Sequence, residues 1–217
     1  MGRFRITPLR LVAAAAIGML SFGGVAYAAG LGLSTNKLFA WSQTLTKGTC
    51  NQTSTTANDT YVQQALPAST AGGTATTLTI SPIALAQDYA FIRFNLSGCS
   101  LPTTGGADSA VLTVNVRTAG ADTISLFPVT SSWSSSTLTW NGVSGLTIGS
   151  TATGSFSASS TGTKTVTVTA DVDNAIKVGS LWGWELRATS GTLSVAIGAA
   201  ENGTAANRPS MTLSYEK

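Results

Sequence analysis

Histidine is absent from the 217-residue sequence, and charged residues make up only 10% of it. Without histidine the chain can form neither a Ser-His or Cys-His nucleophilic pair nor a histidine-ligated zinc site. Its two cysteines, Cys50 and Cys99, are too few for a four-thiolate metal site. The phosphate-binding pattern GxxxxGK[ST] is also missing. These absences exclude several large classes of enzyme.

The first 28 residues have the three-part layout of a secretory signal peptide. Arg3, Arg5 and Arg10 form a basic start, and residues 11–25 carry no charge. The sequence Ala-Tyr-Ala at 26–28 then offers small residues where a signal peptidase cleaves. A retained membrane anchor is the alternative, although the uncharged run is rich in Ala and Gly, which insert weakly. We expect cleavage after residue 28 and a secreted or cell-surface protein, with no membrane association afterwards.

Removing this leader changes the charge balance of the chain. The full sequence has 12 basic and 9 acidic residues, and three of the basic residues lie in the leader. The remaining chain therefore has equal numbers of both signs. Nucleic-acid binding, which needs a surplus of positive charge, is disfavoured.

Two cysteines in an exported chain allow a single intramolecular pairing. A disulfide between Cys50 and Cys99 is the expectation, and two separate buried thiols are the alternative.

Short segments of alternating or continuous apolar residues recur between turn residues and predict β-strands. The segment 89–96 is apolar on both faces, which favours a central strand. The segment 110–117 alternates cleanly, which is typical of a strand with one buried face. Further strands are predicted at 59–64, 77–80, 123–129, 164–170, 182–188, 193–199 and 210–215.

Helix is predicted at one place only, over 171–179, where Val172 and Ile176 lie four residues apart and Gly179 follows. Many short strands with one short helix predict an all-β fold, an antiparallel β-sandwich of jelly-roll type or a barrel. Residues 29–57 differ in pattern and are interpreted as an N-terminal arm or hairpin. The domain itself is assigned to residues 58–217.

The nine acidic residues are scattered, and no spacing singles out the carboxylate pair that a glycosidase needs. Asp171 and Asp173 resemble a fragment of a calcium loop, but the glycine and the distal glutamate are missing. We predict no metal site and no cofactor; calcium bound by loop carbonyls stays open.

Seven segments in order resemble the DNRLRE domain, the β-sandwich of carbohydrate-binding module family 96. The most distinctive is ISLFPVTSSWSSSTLTWNG at 124–142, with a Trp on each side of a serine-rich turn. The others are DTYVQQ at 59–64, AFIRFNLS at 90–97, ADSAVLTVNV at 107–116, VTVTADVDNAI at 166–176, GWELRA at 183–188 and ENGTAANRPSMTLSY at 201–215. The resemblance implies a jelly-roll β-sandwich without catalytic residues, in a family of which some members bind acidic or neutral polysaccharide.

Trp133 and Trp140 flank the turn of the distinctive segment. We interpret both as core residues, because Trp140 shares the parity of Leu138 and burial of a large ring contributes a few kcal/mol. Trp184 shares the parity of Leu186 and is assigned to the core as well.

The candidates for sugar binding are Trp182 first and Tyr61 second, with Trp41 as a further candidate. An exposed ring could stack under the C–H groups of a pyranose while amide or guanidinium groups bind its hydroxyls. Arg93, Glu201 and Arg208 lie in the matching segments and are interpreted as members of a salt-bridge network at strand ends.

The leading hypothesis is therefore a secreted, non-catalytic β-sandwich that binds extracellular polysaccharide. The alternative is a structural subunit of the cell surface, such as an adhesin or filament protein. In that case the arm at 29–57 would add a strand to a neighbouring copy and form a homo-oligomer.

Overall fold

The computed structural model describes residues 47–52, 57–101, 106–120 and 122–216. The predicted signal peptide, Trp41 and most of the predicted arm lie outside these residues. Eleven strands and two α-helices are observed in the described part: β1 (Lys47–Gln52), β2 (Ala57–Gln63), β3 (Thr77–Ile80), β4 (Asp88–Phe94), β5 (Ala107–Thr118), β6 (Thr123–Pro128), α1 (Trp140–Val143), β7 (Gly154–Ser157), β8 (Gly162–Thr167), α2 (Thr169–Val178), β9 (Trp184–Ser190), β10 (Val195–Gly198) and β11 (Ser210–Glu216).

The strands form two antiparallel sheets. The six-stranded sheet has the order β1-β11-β5-β10-β3, with β8 paired to β5, and the five-stranded sheet has the order β2-β4-β9-β6-β7. Consecutive strands alternate between the sheets at several points, so that few neighbours in space are neighbours in sequence. The prediction of an all-β antiparallel sandwich is confirmed.

The main core lies between the two sheets. Alternate residues of β5, including Leu112 and Val114, face alternate residues of β4 and β9, including Ile92 and Trp184. All four side chains are almost fully buried. Period-two alternation explains this arrangement, since every second residue of a strand points to the same face.

A smaller apolar cluster covers the outer face of the five-stranded sheet. It contains Phe91 of β4 and Val62 of β2, over which Val129, Trp133 and Leu138 of the segment 129–149 pack. This second cluster explains why β4 is apolar on both faces. β4 lies between β2 and β9, as expected of an inner strand.

Residues 47–52, which the sequence assigns to the arm, form an edge strand of the same domain. β1 pairs with β11 of the same chain from Lys47↔Glu216 to Gln52↔Met211. The helix predicted over 171–179 is α2, which begins two residues earlier, at Thr169, and ends at Val178. Within the described residues, no helix is long and apolar enough to cross a membrane.

Candidate functional site

A cleft of about 690 Å³ opens at the end of the five-stranded sheet, where β4 ends beside the C-terminus of α2. One wall is the turn that follows β4, and the other is the end of α2 with the loop that leads into β9. Its described lining consists of Asn58, Arg93, Phe94, Asn95, Leu96, Ser97, Leu101, Ala175, Ile176, Gly179, Ser180, Leu181 and Trp182. Arg93 is the charged residue in this set, and the rest are apolar or neutral polar groups.

Arg93 is held between two tryptophan rings. Its guanidinium carbon lies 5.1 Å from the centre of the Trp133 ring and 5.3 Å from that of the Trp182 ring. Both distances are in the range of cation–π attraction, which is strongest for tryptophan. Burial lowers the pKa of Arg93 from its ordinary value, although an arginine stays protonated at any physiological pH. The side chain is thus a fixed positive charge at the cleft.

No carboxylate in the described residues forms a salt bridge with Arg93. The salt-bridge network expected for Arg93 is therefore not seen within the described residues. A planar guanidinium can donate two parallel hydrogen bonds to a carboxylate or to a pair of hydroxyls. The arrangement is suited to binding such a group from a ligand.

The backbone around Trp182 is fixed from both sides. Gly179 ends α2 in the left-handed conformation, with φ of 80°, and Gly183 has φ of 78°. The N–H of Val129 donates to the carbonyl of Gly183 at 2.9 Å, and the indole N–H of Trp133 donates to the carbonyl of Trp182 at 2.7 Å. The half-buried Trp182 ring is therefore presented to the cleft in a defined position.

Asn58 adds a polar group on the same sheet face as Arg93. The two residues are directly opposite each other in the pairing of β2 with β4. The Oδ1 atom of Asn58 is buried and accepts no hydrogen bond from any described residue. An unpaired buried acceptor costs free energy unless a partner satisfies it.

A disulfide supports the wall that follows β4. Cys50 of β1 is bonded to Cys99, as predicted, and Cys99 directly follows the 3-10 turn Leu96–Gly98. The amide of Gln52 donates to both sulfurs, at 3.0 Å to Cys50 and 2.8 Å to Cys99. The covalent bond ties the cleft wall to an edge strand of the opposite sheet.

The structure places the three predicted sugar-binding residues differently. Trp182 lines the cleft. Tyr61 is half-buried against the main core and is not part of the cleft lining. Trp41 lies outside the described residues.

The tryptophans assigned to the core lie in two separate clusters. Trp184 is fully buried between the sheets, and Trp133 is 6% exposed in the outer cluster. Trp140 begins helix α1 rather than lying on a strand, and it remains half-buried at the edge of that outer cluster. Its ring packs on Tyr89 with 4.8 Å between the ring centres.

The acidic residues singled out from the sequence act as hydrogen-bond acceptors. Asp171 accepts from the indole N–H of Trp184 at 2.6 Å. Asp173 accepts from Lys177 at 2.7 Å, and that hydrogen bond is the main cause of its lowered pKa. Among the described residues, no group of three acidic or cysteine side chains is arranged to hold a metal ion.

Asp59 and Glu201 form an acidic pair away from the cleft. Asp59 is 1% exposed, and it accepts from the backbone N–H of Ala200 at 2.8 Å. Burial, followed by the charge of Glu201, raises the pKa of Asp59 to about 8. Arg208 lies in the same loop region and donates from Nε to the carbonyl of Asn202 at 2.6 Å.

Sequence reasoning did not identify the Trp133–Arg93–Trp182 stack. The three residues are far apart in the sequence and belong to β4 and to two different loops. The sequence does show that Arg93 lies two residues after Phe91 on one strand, which places both side chains on the same face of the sheet, the outer one.

Comparison with known proteins agrees with the resemblance seen in the sequence. The model of carbohydrate-binding module family 96 matches residues 51–215, which is most of the chain. No curated protein matches the chain.

Proposed function

The chain belongs to carbohydrate-binding module family 96, and we propose that it is a secreted, non-catalytic protein that binds polysaccharide in the cleft beside Arg93 and Trp182. The observation that carries this proposal is the stack of Arg93 between Trp133 and Trp182. It supplies an aromatic ring and a fixed planar donor in one concave site, which is the combination that sugar recognition requires.

The geometry of the cleft suggests separate roles for the Trp182 ring and the Arg93 guanidinium. Arg93 covers one face of the Trp182 ring, so a pyranose would stack on the other face or against the ring edge. The guanidinium would bind polar groups of the same or the next sugar, and Asn58 lines the cleft beside it. Because hydrogen bonds from Val129 and Trp133 hold this loop through the carbonyls of Gly183 and Trp182, little conformational entropy is lost on binding.

The charge of the cleft favours an acidic polysaccharide. The described lining contains Arg93 and no carboxylate side chain. A carboxylated sugar would form a charge-assisted, bidentate hydrogen bond with this guanidinium. A neutral polysaccharide would form weaker bonds at the same position.

Secretion is supported by the leader pattern at residues 1–28 and by the disulfide, since disulfides persist in oxidising compartments. Fractionation of the producing cells, with N-terminal sequencing of the exported protein, tests this part. We expect the exported chain to begin at residue 29.

Affinity electrophoresis tests the binding proposal directly. Gels would contain polygalacturonate, alginate or hyaluronan as acidic polysaccharides, and xyloglucan or dextran as neutral ones. We expect at least one acidic polysaccharide to retard the native protein, and Trp182→Ala and Arg93→Gln to lose at least about tenfold in affinity, or 1.4 kcal/mol.

Arg117→Gln is the matched control for loss of one positive charge. Arg117 is exposed on the six-stranded sheet, where it donates to Asn207 at 3.0 Å. The Arg117→Gln variant should be retarded by the polysaccharide gels as strongly as the native protein. Absence of retardation in every gel, or equal losses in Arg93→Gln and Arg117→Gln, would reject the cleft as the binding site.

A further inference from the structure

A second aromatic and guanidinium stack lies on the outer face of the five-stranded sheet, outside the cleft. The guanidinium carbon of Arg187 lies 4.9 Å from the ring centre of Tyr89 and 5.0 Å from that of Phe127. Trp140 packs on Tyr89, so that the stack runs Trp140–Tyr89–Arg187–Phe127. We call these four residues the outer stack.

The outer stack is accessible from solvent. The Arg187 side chain is 34% exposed, and Tyr89, Phe127 and Trp140 are each half-buried. The segment 129–149 buries Phe91 on the same face and contributes Trp140, but it leaves Tyr89, Phe127 and Arg187 partly exposed. Rings that are held in place yet partly open to solvent offer apolar surface with little cost in conformational entropy.

The outer stack differs from the cleft in its charge. Arg187 forms a salt bridge with Glu185, whose side chain is fully buried. The positive charge is therefore compensated within the protein, whereas Arg93 has no such partner among the described residues. The site as a whole is neutral and carries no free charge for a ligand carboxylate.

Polar groups that suit sugar hydroxyls border the stack. The Tyr89 hydroxyl donates to Gln87 Oε1 at 3.2 Å. The exposed Thr189 of β9 shares a 3.0 Å hydroxyl hydrogen bond with the buried Ser125, which is directly across from Arg187 on β6. Rings flanked by amide and hydroxyl groups match the mixed apolar and polar surface of a pyranose.

We propose that the outer stack is a second carbohydrate-binding site, which takes an uncharged pyranose by stacking and hydroxyl hydrogen bonds. This inference rests on the membership of the carbohydrate-binding family, but not on ligand binding in the cleft. Tyr89 and Arg93 are four residues apart on one face of β4, so the two sites are separated by about 13 Å. One polysaccharide chain that contains acidic and neutral sugars, or two neighbouring chains, can engage both and gain avidity.

Fluorine NMR of protein labelled with 5-fluorotryptophan tests the inference. The chain has five tryptophans, and single Trp→Phe variants assign their resonances. The probes are cellohexaose and mannohexaose as neutral sugars and hexagalacturonate as the acidic one, each at millimolar concentration. We expect a neutral hexasaccharide to shift the Trp140 resonance in a saturable way, and hexagalacturonate to shift mainly that of Trp182.

Two variants separate the outer stack from the cleft. In Trp182→Ala the response of Trp140 should persist, because the two sites are independent. In the double variant Glu185→Gln with Arg187→Gln, which leaves no buried unpaired charge, the Trp140 shift should weaken at least fivefold while the Trp182 response is retained. An unchanged Trp133 resonance would show that this variant is folded.

The outcomes distinguish the two proposals. A Trp182 response without a Trp140 response overturns the second site and leaves the cleft proposal standing. A Trp140 response alone supports the second site and overturns the cleft. No response of either resonance to any of the three probes overturns both, and a Trp140 response that disappears in Trp182→Ala also overturns the second site.

Discussion

At the scale of single residues, Gly183 sets the position of the Trp182 ring. A Cβ atom at this position would lie 2.0 Å from the carbonyl oxygen of Ile92, and the backbone has φ of 78°. Both the lack of space and the left-handed conformation therefore require glycine.

Gly183→Ala should lower the free energy of unfolding by at least about 2 kcal/mol, since the new methyl group must displace a strand or strain the backbone. Gly203→Ala is the control, because a Cβ atom there meets nothing within 4 Å. Urea denaturation of both variants measures the difference. Equal stability of the two variants would mean that the Trp182 loop is not held as described.

Asp59 should make stability depend on pH. Burial raises its pKa from 3.8 to about 8. Between these values the folded chain keeps the proton on Asp59 and the unfolded chain releases it, so the free energy of unfolding falls as the pH rises. Above a pH of about 8 the contribution of Asp59 to stability no longer changes. Asp88 should also lower stability as the pH rises, over a narrower range of pH, because burial raises its pKa to about 6.

Asp59→Asn retains an acceptor for the Ala200 N–H but removes the titration. We expect the variant to gain stability relative to the native protein as the pH rises from 4 to 8, by at least about 2 kcal/mol in total. Thermal or urea unfolding at a series of pH values measures this difference. Parallel stability curves for the two proteins would contradict the assigned protonation of Asp59.

For single residues, the sequence predicts burial better than it predicts contacts. Alternation alone predicts that Trp184 lies in the interior, and it is fully buried. The contact of Arg93 with Trp133 and Trp182 required knowledge of which loops meet over the sheet. Parity along one strand gives the face of a residue, but not its partners from other parts of the chain.

At the scale of elements, the disulfide connects β1 to the cleft wall after β4. The two cysteines are 49 residues apart. In the chain-entropy model, closing a loop of this length stabilises the fold by about 4 kcal/mol.

Reduction of the disulfide should therefore lower the melting temperature and weaken polysaccharide binding together. The double variant Cys50→Ser with Cys99→Ser should reproduce both effects and become insensitive to reductant. Calorimetry and affinity electrophoresis with and without dithiothreitol provide the measurements. Full binding by the reduced, folded protein would show that the wall does not need the covalent link.

The strands were easier to predict than the connections between them. β3 and β5 follow from alternation, and the apolar character of both faces of β4 marked it as an inner strand. The sequence predicts that Trp133 and Trp140 of the segment 129–149 are core residues, but it does not show that this segment covers the outer sheet face. Its few apolar residues nevertheless form the second cluster with Phe91 and Val62.

At the scale of the whole molecule, binding should depend weakly on salt. Residues 29–217 have equal numbers of basic and acidic residues, and the described cleft lining contains one arginine. Electrostatic attraction to an acidic polysaccharide is then a local effect of Arg93 rather than of a positive surface.

We expect the affinity for an acidic polysaccharide to fall by less than about tenfold between 0.1 and 1 M NaCl, since one ion pair of this kind contributes about 1 kcal/mol. Arg93→Gln should abolish most of that dependence. A far steeper loss, retained in Arg93→Gln, would indicate a dispersed basic surface instead.

A map of backbone amide shifts in the isotope-labelled protein during titration with hexagalacturonate tests binding in the cleft. We expect shifts concentrated at residues 93–101 and 175–182, which form the two walls of the cleft. Shifts concentrated on the outer face of the six-stranded sheet, at residues 109–117 and 210–214, with the cleft unchanged, would contradict it.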